Sequence, residues 1–189
     1  SELATSKLGA VARSDRAAQL AEACGDPVDL GCVAEQSQLA IAVSSIDSGL
    51  GLLAISAAFA AHADDVISFD DVDLLSWARS FRRAADRTPL SGGTAVQTIQ
   101  TRTSVAVALG AEAEILVNRR EEFEVLYADP MVRARVVLMK PAGFTVPADV
   151  ITDLGDALFA RGWDDDLSRT DADELPTPTT MLGIREFWS

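Results

Sequence analysis

The segment Gly49-Leu50-Gly51-Leu52-Leu53-Ala54 has the G-x-G-x-x-A form of a turn that cradles a dinucleotide pyrophosphate. Glycine lets backbone N–H groups approach phosphate oxygens closely, and the helix that follows presents its positive dipole end. A strand-like apolar run precedes the turn. Val66-Ile67-Ser68-Phe69 follows it and leads into Asp70, where an acid that binds a ribose hydroxyl belongs. Gly49, Gly51 and Asp70 are therefore the candidate cofactor-binding residues. His62 is the only histidine, so any Ser-His-Asp or Cys-His mechanism must use it. No Gly-x-Ser-x-Gly elbow presents a nucleophile, and a histidine at a helix C-terminus is favoured there by the dipole alone. Asp64, Asp65, Asp70, Asp71 and Asp73 form one acidic group, and Asp164, Asp165 and Asp166 form another. Clustered carboxylates bind divalent cations, or hold a protonated acid beside an ionised one for hydrolysis. Asp64, Asp65, Asp164 and Asp165 are the candidate metal ligands. Neither run has EF-hand spacing, and a solvated acidic face accounts for both as well.

The glycine segment is similar to the first βαβ unit of a Rossmann fold, and that likeness implies a nucleotide or dinucleotide cofactor. Three features depart from it. Five residues, Ser44 to Ser48, separate the strand core from Gly49, where the motif wants a tight turn. Asp47 would lie close to bound phosphates. No clear second βαβ half follows. Small residues at a close helix contact, or at the turn that starts a helix, explain the same glycines, and no cofactor is favoured.

Ser91-Gly92-Gly93-Thr94 is able to form a backbone nest for an anion, but it lacks the lysine of a P-loop and reads equally as a linker. Arg79, Arg82, Arg83 and Arg87 recur at helical spacing, as a face for an acidic partner or as a surface ion-pair face. With Trp163 and Trp188, residues Arg79, Arg82 and Arg83 are the candidate partner-binding residues. Cys24 and Cys32 flank a Gly/Pro turn at a separation of eight, which suits a disulfide; two reduced cysteines packed as small hydrophobes are the alternative. Zinc is disfavoured, since only His62 adds a nitrogen ligand.

The elements that must position these residues follow from periodicity. Ser14 caps a helix over Asp15 to Cys24, with a stripe of Ala17, Leu20, Ala21 and Cys24. The residues before it form a further helix, weakened by Gly9. Leu39 to Ala61 is long and apolar enough to raise a membrane span, but Asp47, three serines and the lack of a Lys/Arg flank oppose it. A buried strand over Leu39–Ser44 and a buried helix over about Leu50–His62 are expected instead. Asp70 or Asp71 caps a helix running to about Asp86. Val105, Val107 and Leu109 alternate as a strand. Glu114 to Asn118 reads as a short strand, Arg119 to Ala128 as a helix, and Arg133 to Met139 as the best strand of the chain. Pro147 starts a helix that Gly162 ends. Asp164 to Pro178 reads as loop, and Met181 to Trp188 docks back. The expected fold is α+β, with a helix-rich first half carrying one or two strands and a smaller βαβ-like second half. The boundaries are 1–88, 94–163 and an acidic Pro/Thr-containing tail at 164–189, or one continuous domain.

The formal charge of −13 argues against a partner that is nucleic acid, because a phosphate-backbone binder needs a cationic surface. Lys7 and Lys140 are the only lysines. In this texture, and in the run Ala57-Ala58-Phe59-Ala60-Ala61, the chain resembles conserved mycobacterial and actinobacterial proteins of unknown function, some encoded near type VII secretion genes. That resemblance implies no site residue. The absence of a catalytic constellation points to a non-enzymatic interaction or accessory module with a protein partner, cytoplasmic or a secreted fragment. The alternatives are a nucleotide-binding enzyme using Gly49–Ala54, and a metal-dependent or acid-catalysed hydrolase using the aspartates.

Overall fold

Glu2 to Arg13 carries little β-branched character, yet it forms the longest strand, β1 (Glu2–Arg13). It is buried almost continuously from Ala4 to Ala12, so it shows none of the alternation that marks a half-exposed strand. In the computed structural model, which describes residues 2–36, 39–63, 66–86, 94–118, 121–129, 132–164 and 175–189, β1 is followed by α1 (Ser14–Cys24), β2 (Val28–Asp29), α2 (Leu30–Glu35), β3 (Ala40–Val43), α3 (Gly49–Ala63) and α4 (Val72–Asp86). Then come α5 (Ala95–Thr101), β4 (Val105–Ala111), α6 (Glu112–Asn118), β5 (Phe123–Asp129), β6 (Arg133–Val137), α7 (Ala148–Phe159) and α8 (Pro178–Trp188).

Among the described residues, six strands make one mixed sheet of order β2-β5-β1-β4-β3, with β6 paired to the first half of β1. β4, β5 and β6 are antiparallel to β1, while β3 is parallel to β4 and β2 to β5. Thus β1 alone runs against its neighbours. Gly9 stands opposite both Gly110 and Tyr127. A Cβ there would come within 2.9 Å of the Leu126 carbonyl oxygen, so the close approach of β5 explains a glycine inside a strand. Helices cover both faces. Leu8, Ala10 and Ala12 share one core with α1 to α4 and α8, and Val11 shares the other with Val96, Ile99 and Ile115.

This arrangement corrects the expected layout. The protein is α+β, but it has no helix-rich half followed by a βαβ-like half. Its first residues are the central strand rather than a helix, and their partners lie about a hundred positions on, in residues 105–137. β4, α6 and β5 do run strand-helix-strand, but β1 lies between the two strands. Two local expectations are exchanged. Glu114 to Asn118 is helical because Ser6 Oγ, buried in β1, accepts a hydrogen bond from the Ala113 N–H at 2.9 Å and caps α6 from outside. Phe123 to Asp129 is a strand because it fills the side of β1 opposite β4. At α1, Arg13 holds the N-cap position with no side-chain bond, so Ser14 is the first helical residue and not the cap. The break at Thr88 to Gly93 lies outside the described residues. Thr94 is described, and it makes a capping box with Gln97 at the start of α5.

Candidate functional site

The turn into α3 is built around small residues. Ser48 Oγ donates to the Ser45 carbonyl at 2.7 Å and accepts from the Gly51 N–H at 3.0 Å, so Ser48 caps the helix. A Cβ on Gly51 would fall on the carbonyl oxygens of Ser44 and Ser45, whereas one on Gly49 would meet nothing within 4 Å. Backbone contact therefore accounts for Gly51. Asp47 is tied away from the turn by Arg185 of α8, whose Nη2 lies 2.7 Å from its Oδ1. Asp70 is exposed in the turn before α4, and it follows no strand, since residues 66–68 are irregular. Asp71 does the capping there, accepting from the N–H groups of Asp73 and Leu74.

Gly49 opens onto a cavity of about 620 Å³. Leu50 and Leu53 of α3, Trp163, Leu175 and Met181 of α8 form its apolar wall. Arg133 and Arg135 reach it from β6 and Glu114 from α6. The arginines are two apart on a strand, which puts them on one side. Arg133 is only 8% exposed, while Arg135 binds Glu2 at 2.8 Å. Burial pushes the Glu114 carboxyl above the ordinary carboxylate range. The cavity thus joins Gly49 and Trp163, which are far apart in sequence, with three charged residues that the sequence reading did not single out as a group. The available signal was a pair of arginines at period two in a strand otherwise rich in valine.

Because the folded state holds the Glu114 proton more tightly than the unfolded chain, this group lowers stability as pH rises from the ordinary carboxylate range through its folded value. Glu114→Gln should therefore be more stable than the parent near pH 8 and indistinguishable near pH 3. Thermal unfolding at both values checks this; equal melting temperatures at the higher pH would refute it.

Other residues singled out in the sequence hold the fold together. Trp188 packs edge-on to Phe81 at 4.9 Å between ring centroids. His62 stacks on Trp77 at 4.3 Å and places Nδ1 3.1 Å from Glu35 Oε1. Arg82 donates to the carbonyls of Phe187 and Ser189, fastening the end of α8. Arg83 donates to the Arg79 carbonyl and Ser80 Oγ on its own helix, and Arg79 is exposed. Cys24 and Cys32 form a disulfide. Breaking this eight-residue link with Cys24→Ser/Cys32→Ser should cost roughly 2–3 kcal/mol on loop-closure grounds. That amounts to a fall of about 4–12 °C in Tm, matched by reductant on the parent and absent if the loop is held by packing alone.

Asp164 exchanges both backbone hydrogen bonds with Thr5, at 2.8 Å each, so its peptide extends the pairing of β1. Asp64, Asp65, Asp165, Asp166, Arg87 and Ser91 to Gly93 lie outside the described residues. Among the described residues no group of three or more His, Cys, Asp or Glu is placed to hold a metal, and no helix is long and apolar enough to cross a membrane.

A second surface is notable for what it leaves uncovered. α7 lies against β1 yet buries none of its residues. Leu154 is 40% exposed, and Phe144 and Met139 in the preceding segment are 57% and 87% exposed. No protein-family model matches the chain, and neither does any curated protein or solved structure compared with it.

Proposed function

We propose that the protein is a non-enzymatic interaction module that docks a protein partner through α7 and the segment leading into it. The carrying observation is an amphipathic helix with no buried residue, whose Val150 and Leu154, one turn apart on the same face, stay exposed, as do Met139 and Phe144 in the segment that leads into it. An apolar stripe on a helix ordinarily faces a core, and a cluster of large exposed apolar side chains marks an interaction surface. Asp149, Asp153 and Asp156 recur at helical spacing on the same element. The fitting partner is therefore an apolar strip flanked by basic side chains. A net charge of −13 opposes pairing with a second copy. The Cys24–Cys32 disulfide supports a role in an oxidising compartment, where such bonds persist.

The test is photocrosslinking from position 157 on α7, with Val150→Asp/Leu154→Asp as the control. Both sites are exposed, so the double variant should stay within about 1 kcal/mol of the parent in stability while losing the crosslinked partner. A crosslink that survives the substitutions, or a homodimer that they dissolve, would overturn the reading.

A further inference from the structure

We infer that the cavity between α3, β6 and α8 binds a small monocarboxylate with an apolar body. This inference is independent of docking through α7, since it rests on different residues. A volume of about 620 Å³ lies in the range of cavities that enclose drug-sized molecules, and the wall has the composition of such sites. Leu50, Leu53, Met181 and the Trp163 ring offer dispersion contacts to a chain or ring system.

The chemistry of the polar groups selects the head group. Two guanidinium groups exclude a cation. A guanidinium carries five N–H donors in a planar fork whose geometry matches a carboxylate. Arg133 is drawn into the interior, where the surroundings screen such a bond less than water does. Glu114 sets an upper limit on ligand charge. With Glu114 in the same lining, a second negative charge on the ligand meets more repulsion than a single one. Gly49, at the start of the 15-residue α3, brings a positive dipole end to the same wall. The Gly51 N–H is engaged by Ser48, so the turn does not offer the backbone cradle that a pyrophosphate uses.

The experiment is calorimetric titration of the full chain with decanoate, decanol, decylamine and inorganic phosphate. Decanoate should bind saturably at one site, at least tenfold more tightly than decanol, with no binding of decylamine or phosphate. Acetyl-leucyl-leucine, which carries the same head group on a peptide C-terminus, distinguishes the two sources of carboxylate. Binding of either supports the site, and the tighter one names the source. Leu53→Trp fills the cavity and should abolish binding while the protein still unfolds cooperatively. Arg133→Gln should weaken binding roughly ten- to a hundredfold, the loss expected for a charge-assisted hydrogen bond. If that variant does not fold, Arg133→Lys, which keeps the charge and removes the fork, carries the test with a loss in the same direction. Leu154→Asp on α7 should change nothing. No saturable binding, equal affinity for decanol and decanoate, or binding unchanged in folded Leu53→Trp would overturn the inference.

Discussion

Gly51→Ala should destabilise the protein by about 3–5 kcal/mol, a large part of the stability of a chain this size, although alanine is the better helix former. The added methyl would land on the Ser44 and Ser45 carbonyl oxygens, which are backbone atoms and have no rotamer by which to withdraw. Ser45 opens the Ser45–Ser48 turn that caps α3, so relief means losing the cap as well. Gly49→Ala, two residues earlier, is the internal control. Nothing lies within 4 Å of its added Cβ, so the change should be neutral or stabilising by up to about 1 kcal/mol. Denaturant unfolding of the two variants measures the difference. Equal effects would mean that the turn yields, and the steric reading of Gly51 would fall. The comparison also shows that loss of ligand in a Gly51 variant reports on folding, whereas changes at Gly49 reach the cavity directly.

Phe59→Ala should cost about 3–5 kcal/mol, the usual range for removing a fully buried aromatic ring. Phe59 stands edge-on to Trp77 at 5.0 Å and to Phe187 at 6.3 Å, and Trp77 in turn touches Phe81. It is therefore the ring where α3, α4 and α8 meet. Alanine is the commonest residue of this core, and its side chain is too short to reach into the space, which places the cost toward the upper end. Chemical denaturation gives the energy, and near-ultraviolet circular dichroism should report the freed Trp77. A loss under 2 kcal/mol with an unchanged spectrum would show that α8 is not anchored through this cluster. Trp188→Ala, which removes a half-buried ring from the same cluster, should cost less than Phe59→Ala.

How much was legible varied with how each element meets the rest of the molecule. α4 was readable because 15 residues repeat its apolar stripe several times over, and α3 because its apolar run is longer than a buried strand. The Val105–Leu109 alternation and the valine-rich Arg133–Val137 run gave two strands directly. β1 was not legible. A strand covered on both faces has no polar side to alternate with, and its alanines, serine and threonine carry weak strand preference. Glu114 to Asn118 was equally silent, because five residues are too few to separate the two periods, and Ser6, which caps the helix, lies 107 positions from Ala113.

By itself the sequence determined the local features: a helix over about Leu50–His62, a cap for the next helix at Asp70 or Asp71, and a net charge of −13. Each depends on residues within a few positions of one another, or on a sum over the chain. Only the tertiary structure decided that the first twelve-residue strand is the axis of the sheet, that Trp188 belongs to a core cluster, and that Gly49, Glu114, Arg133 and Trp163 line one cavity. Those outcomes depend on which distant segments compete best for the same buried surface. Hydrophobic burial rewards area whatever its place in the chain, so no short window of sequence carries that information.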